Sequence, residues 1–267
     1  MRTARFARRG RGLADKAAIF LIIAFETTSF ANPRRRARVK RLLGAIARDG
    51  LLIVRFRRDG EDFVFQLRAG DDGDLSVASE FIRGGYLFPG TQPAQIVDGG
   101  ANIGLFAVLA SKRFPDVRIS CFEANPDNIA TLSRNLEINA ANAEVFNTAL
   151  WSRDSELVFH NHLAYSGHVA EAEAATEPGA TRIPAVLPRV DADCWMKLDI
   201  EGAEYEVLPA LLAAGRYPRW ISAELHHFID KGPALIEMLK RHGYQTRTLP
   251  EQPTSDLVDL FAERAAA

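Results

Sequence analysis

Ile96-Val97-Asp98-Gly99-Gly100-Ala101-Asn102-Ile103-Gly104 carries an apolar strand pattern into a glycine-rich turn and then into an apolar helix. In open α/β sheets, ligands bind beyond the carboxyl ends of the strands, at turns of this kind. Gly100 lets the backbone approach a ligand closely or take a positive φ, and Gly104 permits tight packing of the following helix. Spacing narrows the choice of ligand. A dinucleotide fingerprint needs G-x-G-x-x-G, whereas this loop reads D-x-G-x-x-x-G from Asp98, with Asn102 where the second dinucleotide glycine belongs. The carboxylate of Asp98 would repel a pyrophosphate and suits a cationic ligand.

The next strand ends Cys121-Phe122-Glu123-Ala124-Asn125-Pro126, placing a carboxylate 25 residues after Asp98, where it can accept hydrogen bonds from both hydroxyls of a ribose. Read structurally, Glu123 caps a helix that starts with Pro126 at its first position. The two motifs together point to S-adenosylmethionine, which joins a ribose to a sulfonium and an α-ammonium. An NAD-dependent oxidoreductase shares the ribose-binding acid and is one alternative. A catalytically silent Rossmann-like binding protein is another.

Outward from the loop, short apolar runs rich in β-branched residues alternate with helical stretches, as in an α/β fold with a parallel sheet built from βαβ units. Strands are predicted at 95–98, 117–123, 143–150, 194–200 and 220–225, and helices at 104–113, 125–139 and 203–214. Residues 244–248 and 256–261 read as two final strands forming an antiparallel edge. Between 150 and 194 the alternation lapses. Residues 156–160 are strand-like and 170–180 are rich in Ala, Glu and Gly, a length that suggests a lid, a substrate loop or a disordered excursion. Upstream, a helix over 14–31 is stopped by Asn32-Pro33, and a second follows over 34–48 with Val39, Leu42, Leu43 and Ile46 at helical spacing. Strand-like 51–57 and 62–67 flank Asp59-Gly60, a hairpin turn signal. The chain therefore divides into residues 1–75, a basic helical arm with a β-hairpin extension, and residues 76–267, a Rossmann-like domain with an insertion at about 151–193.

A net charge of -1 conceals a strong asymmetry. Residues 1–48 hold 13 Lys/Arg against Asp15 and Glu26, leaving 20 basic and 32 acidic groups in the other 219 residues. Such an arm attracts an anionic membrane surface, a nucleic acid or an acidic partner, or forms a solvated helix packed on the body. The acidic body and the lack of an aromatic-rich basic groove argue against nucleic acid. Arg-rich residues 2–16 precede an apolar run at 17–25, and Ser29-Phe30-Ala31 resembles a signal-peptidase site. The run is too short to span a bilayer and Glu26 follows it, so a core-packing or amphipathic helix is expected. Cys121 and Cys194, both in apolar runs, read as buried free thiols of a reducing compartment. The expected location is cytoplasmic, with peripheral membrane contact through the arm.

Three motifs in order give a resemblance. Asp98 to Gly104, Phe122 to Pro126 and Lys197-Leu198-Asp199-Ile200-Glu201-Gly202-Ala203-Glu204 match D-x-G-A-N-I-G, F-E-x-N-P and K-x-D-x-E-G-A-E, and Glu224-Leu225-His226 adds the E-x-H that usually follows. The chain thus resembles the FkbM-type methyltransferases over about residues 75–230, with Gly99 and Ala124 standing where the family usually has Val or Ile and Pro. The resemblance implies a class I methyltransferase fold whose last strand is antiparallel, and O-methyl transfer from S-adenosylmethionine to a hydroxyl of a small molecule, sugar or secondary metabolite. It places Asp98, Gly100, Asn102 and Gly104 around the methionine part of the cofactor and Glu123 on its ribose. Asn125 belongs to the same F-E-x-N-P motif, and Asn147, Thr148 and Ala149, by position, lie near the adenine.

A hydroxyl is a poor nucleophile, so a base or a metal that removes its proton should help by ~10²-fold or more. Asp199 and Glu201 stand two apart at the end of the fourth strand, where the turn at Gly202 can bring Glu201 towards the site. Glu201 alternatively serves as a favourable charge at a helix N-terminus. Glu224 and His226 share a strand face, and His226, with an ordinary pKa of ~6.5, is a plausible general base. Asp199, Glu224 and His226 form an alternative divalent-metal set. His160, His162 and His168 have no ligand spacing and read as loop residues near the acceptor.

Overall fold

In the computed structural model the chain is described over residues 6–28, 32–84, 88–163, 166–171, 181–250 and 255–265, with the backbone alone at 160–163 and 166–171. The β-branched runs form a sheet whose central strands are buried on both faces. Strands β3 (Gln95–Gly99), β4 (Arg118–Phe122), β5 (Ala143–Phe146), β10 (Cys194–Leu198) and β11 (Trp220–Leu225) lie parallel. The last strand, β13 (Val258–Arg264), runs antiparallel between β11 and the edge strand β12 (Tyr244–Leu249), giving the order β12-β13-β11-β10-β3-β4-β5. The mostly parallel seven-stranded sheet with an antiparallel last strand is the arrangement that the resemblance implies. Helix α4 (Leu105–Arg113) is buried from Leu105 to Ser111, the run without a charge, and leaves Lys112 and Arg113 toward solvent.

The insertion departs from the loop reading. Strands β6 (Ala149–Leu150), β7 (Ser155–Leu163), β8 (Ser166–Glu171) and β9 (Thr181–Val186) form a second sheet of order β6-β9-β7-β8, in which alternate residues Leu157, Phe159, Ile183 and Ala185 bury a small core. The backbones of His160, His162 and His168 accordingly lie in strands, not loops, while their side chains fall outside the described residues, as do residues 172–180. The strand predicted over 143–150 is split. After Phe146 the amide of Asn147 donates to the carbonyls of Glu123 (2.9 Å) and Ala124 (3.3 Å), and Ala149 and Leu150 pair with Ala185 and Val186 of the second sheet instead.

Upstream lie α1 (Leu13–Thr28), α2 (Pro33–Ile46), the β1–β2 hairpin (Leu51–Arg58, Glu61–Arg68) and α3 (Asp72–Arg83). Asn32 caps α2 by accepting from the Arg35 N–H with Pro33 in the first turn, and Asp59 and Gly60 both take the positive φ that a two-residue hairpin turn requires. The apolar run of α1 is core: Ile19, Ile22 and Phe25 are fully buried, in one cluster with Phe81, Ile96 and Trp195. Among the described residues no helix is long and apolar enough to cross a membrane. Two helices were not predicted. Helix α3 carries its own start and stop signals in the N-cap Asp71 and the left-handed Gly84, whereas α7 (Phe228–Arg241) contains Pro233, which obscures its periodicity. The remaining helices are α5 (Pro126–Ile138) and α6 (Glu204–Ala213). Cys121 and Cys194 are buried and free.

Candidate active site

The glycine-rich turn is held from below. Register places Lys197 of β10 opposite Asp98 of β3, so Lys197 Nζ sits 3.4 Å from the Asp98 carboxylate and donates to the carbonyls of Gly99 (3.3 Å) and Gly100 (2.8 Å). Asp98 is wholly buried and does not face the cavity above, so its charge is answered by the lysine. Burial opposes the charge on Lys197, but Asp98 and Asp199 raise its pKa, and it carries its proton throughout the neutral range. Gly100 has φ +70°, and a Cβ there would collide with the Asp199 carbonyl oxygen; the position requires glycine because two backbones touch. A Cβ on Gly104 would meet Leu132 of α5, so that glycine packs helix on helix.

Glu123 leaves β4 into a nest of donors. Its Oε2 accepts from the Asn102 N–H (2.7 Å), and its Oε1 from the Asn125 N–H (2.9 Å) and the Asn128 amide (3.2 Å). Burial pushes its pKa up and these hydrogen bonds pull it down. A carboxylate accepts about four hydrogen bonds, so one lone pair stays for a ligand hydroxyl. Asn125 caps α5 by accepting from the Asp127 N–H, and Asn147 clamps the 123–124 backbone from the side without lining the cavity.

Beyond β10 and β11 a second group assembles. Strand β10 ends at Leu198, and a turn with Glu201 (φ +56°) and Gly202 (φ +101°) brings Glu201 back beside Asp199. His226 follows β11 and is ringed by carboxylates: Nε2 lies 3.3 Å from Glu201 and 3.6 Å from Glu224, and Nδ1 lies 3.7 Å from Glu204. Burial lowers the imidazole pKa, but Glu204, Glu201 and Asp199 outweigh it and raise it to about 9. Burial raises Glu201 to about 7 against the pull of His226, and raises Glu224 with help from Asp199. The ring is thus protonated at neutral pH, and the group nearest its titration point is Glu201. Ligand atoms of Asp199, Glu224 and His226 come within 4.8 Å of one another.

One cavity of about 390 Å³ joins the two groups. Gly100, Asn102, Glu123, Asn125, Thr148 and Ala149 line one part of it, and Asp199, Glu201, Glu224 and His226 another. Of the residues singled out in the sequence, Asp98, Gly104 and Asn147 stand behind its walls. Sequence reasoning missed the walls supplied by other segments: Arg68, Ser76, Val77 and Glu80 from the hairpin and α3, and Phe159 from the second sheet. Arg68 is fixed by ion pairing with the buried Asp74 and by donating to Asn128 (2.7 Å), and Asp71, which caps α3, was the available signal. The donor set fits S-adenosylmethionine: an unfilled lone pair on a buried carboxylate, close-approach backbone at Gly100, and apolar Phe122, Ala149 and Leu150 beside them.

Residues 98–246 match the family model described as the methyltransferase FkbM domain. Among curated proteins, methyltransferase sdnD of Sordaria araneosa is 48% identical over 46 residues, covering 17% of this chain and 18% of that protein. The AMB antimetabolite synthetase AmbE of Pseudomonas aeruginosa is 28% identical over 228 residues, covering 64% of this chain and 10% of that protein. The chain thus spans less than a fifth of the length of either relative. Among solved structures, TYW2 of M. jannaschii in complex with AdoMet shares 12% identity with a TM-score of 0.43, over 80% of this chain and 87% of that one. A precorrin-6y C5,15-methyltransferase from Geobacter metallireducens shares 16% with a TM-score of 0.41, over 66% and 82%.

Proposed function

The chain belongs to the FkbM methyltransferase family, whose methyl donor is S-adenosylmethionine, and on that premise we propose that it methylates a hydroxyl oxygen of a small molecule, sugar or secondary metabolite. The observation that carries the reading is the single cavity in which the Gly100–Glu123 wall and the Glu201–Glu224–His226 wall face a common space. When bound, the cofactor supplies an electrophilic methyl group on a sulfonium. The chain's own work is positioning and proton handling. Glu123 and the Asn102 turn hold the donor, with Thr148 and Ala149 along its adenine side. Positioning alone is worth roughly 7 kcal/mol of barrier or more.

At the other wall, Glu201 takes the acceptor's proton, because its carboxylate titrates near the working pH while His226 is already charged. The imidazolium of His226 keeps Glu201 ionised often enough to serve, and Asp199 and Glu224 orient the acceptor. Both ring nitrogens of His226 face carboxylates, which favours the imidazolium and suits the cluster to handling a proton. Calorimetry tests the donor half: adenosylmethionine should bind the wild type, and Glu123→Ala should weaken it tenfold or more, about 1.4 kcal/mol, while NAD gives no heat. Binding of NAD in its place would move the chain to the oxidoreductase reading. Failure of a folded protein to bind either would leave a silent binding protein.

A further inference from the structure

Helix α2 uses little of itself for packing. Of its fourteen residues only Leu43 is fully buried. Arg36 and Lys40 point toward the body and share Asp72, at 2.7 and 2.5 Å. Arg34, Arg35, Arg38 and Arg41 are exposed, and no acidic side chain among the described residues pairs with them. With them on the outer side stand Leu42, 47% exposed, and Ile46, 46% exposed. At 3.6 residues per turn these six positions fall within an arc of roughly 140°. Exposed Leu13 and Phe20 add apolar surface on α1, which packs against α2.

We propose that this face of α2 docks the protein on an anionic lipid surface, with the four arginines on headgroup phosphates and Leu42 and Ile46 entering the headgroup–acyl boundary. Two features of the face favour lipid over other polyanions. Apolar side chains interleave with the arginines, as in helices that lie in a membrane interface. Aromatic side chains for stacking on bases are absent from α2. Charge placement sets the direction of approach: residues 1–48 carry 13 basic and 2 acidic groups, and the remainder 20 basic and 32 acidic, so an anionic surface attracts one end and repels the rest.

The test is co-sedimentation of the full chain with phosphatidylcholine vesicles containing or lacking phosphatidylglycerol. Binding is expected only to the anionic vesicles, falling as salt rises. Arg34→Glu/Arg38→Glu/Arg41→Glu should reduce partitioning at least about tenfold. Leu42→Ser/Ile46→Ser should reduce it several-fold while keeping the salt dependence, a response that purely electrostatic adsorption would not show. All six side chains are exposed, and circular dichroism melts matching the wild type would confirm that the variants fold. Equal binding to neutral vesicles, no binding at low salt, or indifference to the charge reversals would each overturn the proposal. Binding to single-stranded RNA that ignores the Leu42/Ile46 change, without vesicle binding, would assign the face to nucleic acid instead.

Discussion

Lys197 and Asp98 show how a motif residue can matter without touching a ligand. An acid at the end of the first strand suggests a direct contact with a cationic cofactor, yet Asp98 is sealed beneath the turn and spends its charge on Lys197, which in turn holds the Gly99 and Gly100 carbonyls. Removing one partner of such a pair strands the other, at a cost of about 3 kcal/mol or more. Lys197→Met should therefore lower stability in urea unfolding by that order, and Asp98→Asn/Lys197→Met should recover much of it. Additive losses in that double-mutant cycle would show that the two do not act as a pair. His226 gives the second residue-scale lesson: its ordinary pKa suggests a base, and only the fold reveals the carboxylates that keep it protonated. We expect kcat/KM to rise with pH as Glu201 loses its proton near 7 and to fall at alkaline pH as His226, whose proton the surrounding carboxylates hold, finally loses it. Glu201→Gln should lower kcat by ~10²-fold and erase the rising limb. The same profile should persist after chelation; loss of activity restored by a divalent cation would reassign Asp199, Glu224 and His226 to a cation site.

At the scale of elements, what the sequence showed and what it hid follow one physical line. Strands buried on both faces, such as 95–99 and 194–198, announce themselves through adjacent apolar residues, Ile96-Val97 and Cys194-Trp195-Met196, and the glycine turn between β3 and α4 marks the ligand end of the sheet. Elements whose burial depends on distant partners did not. The second sheet mixes polar with apolar residues along β7 and β9, and its inward-facing Phe159 reads as a cavity wall only once β7 is seen beside β9. Helix α3 straddles the division placed near residue 75, and its polar face carries Asp71, Asp72 and Asp74, all of which hold basic side chains or cap its first turn. Helix α5 holds the hairpin by a device invisible to hydropathy. Asn135 accepts from the Gln66 N–H (2.8 Å) and donates to the carbonyls of Gln66 (3.1 Å) and Ile103 (2.8 Å), while Asn139, one turn on, pairs with both backbone groups of Val64. Two asparagines thus take the place of a neighbouring strand along β2. Asn135→Ala leaves buried backbone groups of β2 and of the cofactor turn unpaired, so a loss of about 2 kcal/mol is expected in thermal or urea unfolding. A neutral result would mean that water replaces the side chain there.

For the whole molecule, composition draws a line that the core does not respect. Charge and hairpin signals divide the chain near residue 75, and the basic arm looks like an appendage. Yet Ile19, Ile22, Ile23, Phe25 and Leu43 are buried in the same cluster as Phe81, Leu105 and Trp195, and Glu26 of α1 accepts from Ser76, a residue of the cavity wall. Five large apolar side chains at ~2 kcal/mol each amount to roughly 10 kcal/mol, comparable with the entire stability of an ordinary domain. A chain beginning at residue 49 is accordingly expected to aggregate, or to melt far below the full chain and bind 1-anilinonaphthalene-8-sulfonate. If it instead folds cooperatively and binds adenosylmethionine with unchanged affinity, the extension is an independent unit as the sequence division has it. Its arginine-bearing helix would then be separable from the catalytic body, and vesicle binding should travel with residues 1–48 alone. If it does not fold, the helix that faces outward with its arginines is also one the active site cannot do without, because the walls built from α3 rest on α1.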